Sequence, residues 1–187
     1  MNRYLFWKPI LDFILAFLLL VGCLPLLFLI LVSVAVIYRS NPIFCQKRIG
    51  QFGKSFTIYK VRTIFKDENR SQNLIKFLRK SKLDELPQLI NIVKGEMSFV
   101  GPRPDISGYY DLLSGPDRLL LNLKPGITSL ASIKYRHEDE LLSKQDNPLL
   151  YNDTVIFPDK VSMNVEYLNK ISLKEDISIF WKTINSL

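Results

Sequence analysis

The sequence is poor in the residues that cross-link small folds or build metal centres: it has two cysteines, Cys23 and Cys45, and a single histidine, His137. Two cysteines make no disulfide framework, and no Cys or His stands at the spacing of a zinc site, so a reducing compartment is the simplest inference. His137 lies in a polar stretch between Arg136 and Glu138 and is assigned no role. No glycine-rich phosphate loop of the Walker or dinucleotide-binding type occurs, and no internal repeat or low-complexity tract. Charge is missing altogether from Phe13 to Tyr38, a run of 26 residues. A helix of that length reaches ~39 Å at about 1.5 Å per residue, more than the roughly 30 Å hydrocarbon core of a bilayer. The run is too long for a cleaved signal peptide, and no small-x-small site closes it before the basic stretch that follows. Residues 1–38 are therefore expected to form a permanent membrane anchor, and residues 39–187 one compact domain.

Only Arg3, Lys8 and Asp12 of the chain's 25 Lys+Arg and 18 Asp+Glu precede residue 39, so the remainder carries a net charge of +6. That sign suits anionic headgroups and phosphorylated substrates. Nucleic acid would fit the sign too, but the basic residues are dispersed and no nucleic-acid-binding signature appears. Arg39, Lys47, Arg48 and Lys54 follow the apolar run, which puts the main domain on the cytoplasmic side. Arg3 and Lys8 make the other flank basic as well, which favours a segment that enters the membrane and returns. Pro25 interrupts the run, and a proline inside a helix removes one hydrogen bond and kinks it. A kinked span, the commoner object, and a re-entrant hairpin both satisfy the residues. Lys8 and Asp12, four apart, can form a helical ion pair or anchor at the interface.

Beyond the anchor, residues 41–64 alternate as a β-ribbon, with a turn over 50–53. Residues 69–80 read as an amphipathic helix that lies in the membrane interface or packs on a core. A second helical stretch runs from Ser81 to Val93, and Gly95 ends it. Residues 101–104 (Gly-Pro-Arg-Pro) are stiff and extended. Residues 136–160 read as a loop-rich insertion. Ile177, Phe180, Trp181 and Ile184 give a one-sided C-terminal helix.

Adjacent Asp84 and Glu85 are the sharpest chemical feature. Ser81-x-x-Asp84 has the form of a helix-capping motif, which would make the pair structural. The functional reading requires an exposed carboxylate near a phosphate, able to attack phosphorus or to hold a divalent cation. Arg103, between two prolines, is either a solvated surface residue or a guanidinium preorganised for bidentate phosphate contact. Lys60 and Arg62 share one strand face, as an ordinary solvated pair or a small cationic patch.

Five stretches together resemble one family, the bacterial sugar transferases, that is, the monotopic polyprenyl-phosphate phosphoglycosyl transferases. They are Lys8-x-x-x-Asp12; residues 42–63 with Gln46, Arg48, Gly50, Gly53, Lys60 and Arg62; residues 77–104 with Asp84-Glu85-Leu-Pro-Gln and Gly-Pro-Arg103-Pro104; Lys124 to Thr128; and Val165 to Asp176. The resemblance implies an α+β, mainly helical monotopic membrane protein. It would have an N-terminal re-entrant helix hairpin broken near Pro25, a small β-ribbon and interfacial amphipathic helices. It implies that Asp84 attacks the sugar-linked phosphate of a UDP-sugar, that UMP leaves, and that undecaprenyl phosphate takes the phosphosugar from the aspartate. Glu85 would assist at the metal or in proton transfer. Asp84 and Glu85 would hold Mg²⁺, or Mn²⁺ in its place. Lys60, Arg62, Arg79, Arg103 and Pro104 would line the substrate. The setting would be the cytoplasmic face of the bacterial inner membrane, among lipids and downstream glycosyltransferases. The alternative is a non-catalytic membrane-bound scaffold of a glycan-assembly complex.

The chain departs from the family pattern at Leu24 before the membrane proline, at Asn41, and after Thr128, where Ser129 to Arg136 and an insertion of some two dozen residues replace the usual run. Asn164 stands where an Asp is expected. These departures bear on sugar and nucleotide recognition more than on the chemistry.

Overall fold

The computed structural model describes residues 3–65 and 72–186. One helix, α1, occupies Arg3–Tyr38 without interruption. The break expected at Pro25 does not appear: the backbone stays helical through it, held by side chains that dock on both sides of the proline. Ala16 and Leu20 before it pack on one apolar cluster, and Leu27, Ile30, Val34 and Tyr38 after it on another. The buried positions recur every three or four residues, so α1 presents one face to the rest of the chain. The other faces leave 18 large apolar side chains exposed, Phe6 at 68% and Phe28 at 66% among them. By length and composition this helix is able to cross a membrane. Yet both of its ends touch the domain. Tyr4 and Lys8 bind Asp176, and the Tyr38 ring stacks on Phe65 at 4.0 Å between centroids.

Strands β1 (Ile43–Ile49) and β2 (Ser55–Val61) form the antiparallel ribbon, in register from Ile43 opposite Val61 to Ile49 opposite Ser55. Residues 69–71 of the expected amphipathic helix lie outside the described residues. The rest is α2 (Gln72–Lys80), which packs Leu74, Ile75 and Leu78 against α1 and leaves Phe77 exposed. A short 3-10 turn over Leu83–Glu85 leads to α3 (Gln88–Val93). Asn91 of α3 takes the place of a third strand beside β2: its amide donates to Thr57 O (2.7 Å) and accepts from Tyr59 N (3.2 Å). That clamp sets the Asp84–Glu85 turn against the ribbon face that carries Lys60.

Two short strands that no alternation in the sequence announces, β3 (Ser98–Val100) and β4 (Gly126–Thr128), pair in parallel with Ser98 opposite Gly126. Their backbones approach so closely that a β-carbon on Gly126 would stand 2.2 Å from Gly101 N, and one on Gly101 2.3 Å from Lys124 O. Only glycine fits. Because Gly101 opens the Pro-Arg-Pro stretch, this contact also fixes where Arg103 begins. Gly126→Ala is expected to cost about 1–3 kcal/mol of stability by overpacking, measurable as a shift in the urea midpoint of the detergent-solubilised protein.

The stretch expected to be loop-rich, 136–160, is mostly helical. It contains α5 (Glu138–Leu142), α6 (Pro148–Tyr151) and a π-helical turn (Asn152–Ile156), and it runs into α7 (Phe157–Lys170). The physical reason is local. Asn147 Oδ1 caps the Leu150 N–H at 3.1 Å, and Pro148 occupies the first helical position, so letters that read as a turn start a helix. The small α4 (Leu130–Lys134) precedes the insertion, and α8 (Leu173–Ser186) closes the chain. The α8 stripe of Ile177, Phe180, Trp181 and Ile184 faces outward, whereas Asp176 and Ile179 are buried.

Candidate active site

The turn carrying Asp84 and Glu85 begins at Lys82, whose backbone is left-handed (φ 58°, ψ 17°). A non-glycine residue there costs about 1 kcal/mol or more, and such outliers gather at functional sites. The capping alternative for this pair fails. The Ser81 hydroxyl donates backwards to Phe77 O (2.7 Å) and Leu78 O (3.3 Å) at the end of α2, and no side chain caps the turn.

Glu85 is 7% exposed and heavily paired. Lys60 Nζ donates to its Oε1 at 2.9 Å, and Arg103 Nη2 stands 3.8 Å from the same oxygen. Burial alone would raise its pKa, but Lys60, Arg103 and Lys82 outweigh burial and hold the carboxyl below its ordinary value. Asp84 is the opposite case. Its Oδ1 is buried without a hydrogen-bond partner. Burial first, and then the neighbouring Glu85 charge, push its pKa up against the pull of Lys60 and Lys82. The expectation of an exposed Asp84 carboxylate needs correction: the residue is 8% exposed, because the tight turn folds it toward β2. Two adjacent carboxylates are thus driven apart in acidity, the pattern of groups with different chemical tasks.

Beside this turn opens a cleft of about 790 Å³, with Lys82, Glu85, Arg103, Pro104 and Arg48 on its wall. Asp84 is not among the residues lining it. Arg48 belongs to the ribbon motif. Its Nε is buried without a partner, and its other nitrogens reach Gln46 Oε1 (2.7 Å) and Pro104 O (3.5 Å). Burial, reinforced by Arg103 and countered by Asp105, pulls the Arg48 pKa down. Two guanidiniums facing one cleft with a lysine beside them make an anion-binding end. Lys82 was legible only as a cation two residues before Asp84. Arg62 and Arg79 are held elsewhere: Arg62 donates to Asn41 O (2.9 Å) and Ile43 O (3.4 Å), and Arg79 to Thr63 Oγ1 (3.1 Å), and neither lines the cleft. Asn164 does line it, buried, with its amide donating to Tyr110 OH at 2.8 Å. Among the described residues no three His, Cys, Asp or Glu side chains form a preformed metal cage.

The family model for bacterial sugar transferases matches residues 3–187. The chain belongs to the bacterial sugar transferase family. Among curated relatives, the uncharacterized sugar transferase EpsL of Bacillus subtilis is 34% identical over 149 residues, covering 74% of either chain. A UDP-glucose:undecaprenyl-phosphate glucose-1-phosphate transferase of Klebsiella pneumoniae is 35% identical over 78% of this chain and 35% of its own. The galactosyl transferase CpsE of Streptococcus agalactiae is 31% identical over 76% of this chain and 33% of its own. The present sugar transferase therefore spans about a third of the length of those two relatives. Their names differ in the sugar.

Proposed function

We propose that this sugar transferase moves a phosphosugar from a UDP-sugar to undecaprenyl phosphate, as the first membrane step of capsule, O-antigen, exopolysaccharide or glycoprotein assembly. The observation that carries the reading is the buried, unpartnered Asp84 oxygen beside a Glu85 already held by Lys60 and Arg103. A carboxylate with a raised pKa and a free lone pair is the better nucleophile of the two, and Glu85 is pinned by cations. Asp84 attacks the sugar-linked phosphorus, the bond to the UMP oxygen breaks, and UMP leaves with that electron pair. An oxygen of the carrier phosphate then attacks the same phosphorus, and the Asp84 carboxylate is released. Exposure of Asp84 to phosphorus requires the Lys82–Leu86 turn to shift, and the left-handed Lys82 makes that turn the strained element.

Two carboxylates plus diphosphate oxygens suit Mg²⁺, which is bound through one or two carboxylates and shared with substrate phosphates. The orphaned Asp84 Oδ1 is the residue atom that fits. Asp84 and Glu85 would hold the ion, and when bound it neutralises diphosphate charge. Arg103, Arg48 and Lys82 hold phosphate oxygens whether or not the metal is present.

The outward faces of α1 and the α8 stripe expose many large apolar side chains, which suit a membrane surface. With α1 held against the domain at both ends, the site is placed at headgroup depth on the cytoplasmic face. There a soluble diphosphate and a lipid phosphate reach the same carboxylate. The deciding experiment is a panel of UDP-sugars incubated with the membrane fraction, Mg²⁺ and undecaprenyl phosphate. At least one is expected to release UMP; silence across the panel would favour the scaffold reading. Arg103→Ala is expected to raise KM for the accepted UDP-sugar about tenfold or more with a smaller change in kcat, and unchanged steady-state kinetics would remove Arg103 from the site.

A further inference from the structure

Helices α6 and α7 are joined through a π-helical turn, Asn152–Ile156. Such turns are rare, occur mostly as single-turn bulges within helices, and are frequent at functional sites. Asn152, its first residue, lines the cleft that also holds Glu85 and Arg103. Its amide is oriented by a closed set of contacts. Tyr109 OH donates to Asp153 Oδ1 at 3.0 Å, and Asn152 Nδ2 donates to Tyr109 OH (3.0 Å) and to Asp153 Oδ1 (3.1 Å). Asp153 accepts only, and the Tyr109 proton is already committed to it, so the nitrogen of the Asn152 amide must face both partners. That leaves Asn152 Oδ1 with no hydrogen bond among the described residues: a fixed acceptor on a cleft wall.

The segment carrying it is not loose. Lys160 Nζ binds both Glu138 oxygens at 2.7 Å, and Asp159 accepts from Tyr135 OH and from Lys134, each at 2.7 Å. This wall, where Lys160 is neutralised by Glu138, shares the cleft with the cationic residues Arg48, Lys82 and Arg103. Phosphates belong at the cationic end. A neutral acceptor beside an aromatic ring suits a hydroxyl-bearing ring instead.

We infer that Asn152 Oδ1 accepts a hydrogen bond from a hydroxyl of the donor's sugar, and that the 136–160 insertion sets which UDP-sugar is used. The inference rests on the transferase reading above. It assigns the insertion's wall to the sugar, the part in which the names of the relatives differ, and not to uracil.

The test uses the full chain in native membranes, with UDP-glucose, UDP-galactose and UDP-N-acetylglucosamine as donors and UMP as product inhibitor. Asn152→Ala is expected to lower kcat/KM for the preferred donor roughly 10- to 100-fold, since a site built around a hydroxyl loses discrimination when the partner is removed. The ratio between preferred and poor donors should shrink, and inhibition by UMP should change less than about twofold, within the effect of ordinary surface changes. Tyr109→Phe, which frees the amide without removing it, should give a smaller loss of the same kind and serves if Asn152→Ala folds poorly. Equal loss on all donors with weakened UMP inhibition would move the contact to the nucleotide and overturn the inference, as would unchanged kinetics in both variants. A wild-type chain that releases no UMP from any donor would instead overturn the transferase reading, and this inference with it.

Discussion

Asp84→Asn is expected to abolish UMP release, by on the order of 10³-fold or more, while making the protein slightly more stable. The two effects share one cause. Asp84 Oδ1 is buried and unpaired, beside Glu85, and its carboxyl pKa is raised by that burial and by the neighbouring charge. A carboxyl whose pKa is higher folded than unfolded stabilises the fold at acid pH, and the benefit is lost as pH rises through the folded value. At neutral pH the charge therefore costs stability, and the neutral amide relieves the cost; each kcal/mol recovered would raise Tm by roughly 2–4 °C in a chain of this size. Glu85 runs the other way. Its pKa is depressed, so its contribution is present above the ordinary glutamate value and fades as pH falls toward the folded one. Glu85→Gln should accordingly lower Tm, because it weakens the pairing with Lys60, and it should slow turnover. The acid limb of the rate–pH profile should lie above the ordinary aspartate value of about 4, since Asp84 must lose its proton to attack. Measured together, UMP release, mass of any phosphosugar adduct, and melting of the two variants separate a reacting carboxylate from a structural one. An Asp84→Asn enzyme that still turns over, or that carries an adduct, would end the assignment.

Much of this arrangement is written locally, and the parts that are not share a reason. The ribbon is legible because alternation over β1 and β2 and the Gly50–Gly53 turn specify it within some twenty residues. The apolar helix is legible from the absence of charge. Asp84 and Glu85 stand out as adjacent carboxylates, but the letters of Ser81-x-x-Asp84 fit a cap equally well, and only the structure shows Ser81 closing the preceding helix. The parallel pairing of Ser98–Val100 with Gly126–Thr128 joins two three-residue strands far apart in sequence. Neither carries enough alternation to announce itself, and the glycines that permit the contact look like any turn glycine. In the insertion, a pair such as Asn147-Pro148 begins turns and helices alike, and its capping bond decides between them. The lining of the cleft by Lys82 and Asn152 was out of reach for the same reason: which residues share a cleft is a tertiary fact.

Asp176→Ala is expected to be the most destabilising single change in the chain, by about 3–5 kcal/mol. Asp176 joins the start of α1 to the last two helices. Its Oδ2 accepts from Tyr4 OH (2.6 Å) and from Lys8, and its Oδ1 from Tyr167 OH (2.5 Å), all within a nearly dry pocket. Asp12, bound by Ser98 Oγ at 2.7 Å, stands 3.8 Å from the Lys8 ammonium and does not replace Asp176 at hydrogen-bond distance. Removing Asp176 leaves Lys8 with Asp12 at 3.8 Å as its remaining counter-charge and takes from Tyr4 and Tyr167 the carboxylate that both hydroxyls bind. Such losses cost more than the pair contributes, because the surviving polar groups remain out of water. The same logic predicts a partial rescue. Lys8→Met combined with Asp176→Leu removes both charges, and its urea midpoint should lie above that of Asp176→Ala, even though two residues are changed. Asp176→Asn, which keeps the shape and one acceptor, should fall between. If Asp176→Ala melts like the wild type, the network does not fasten α1 to the domain. If it melts early and the double variant does not, the N-terminal end of the apolar helix is held by this buried charge cluster rather than by the lipid around it.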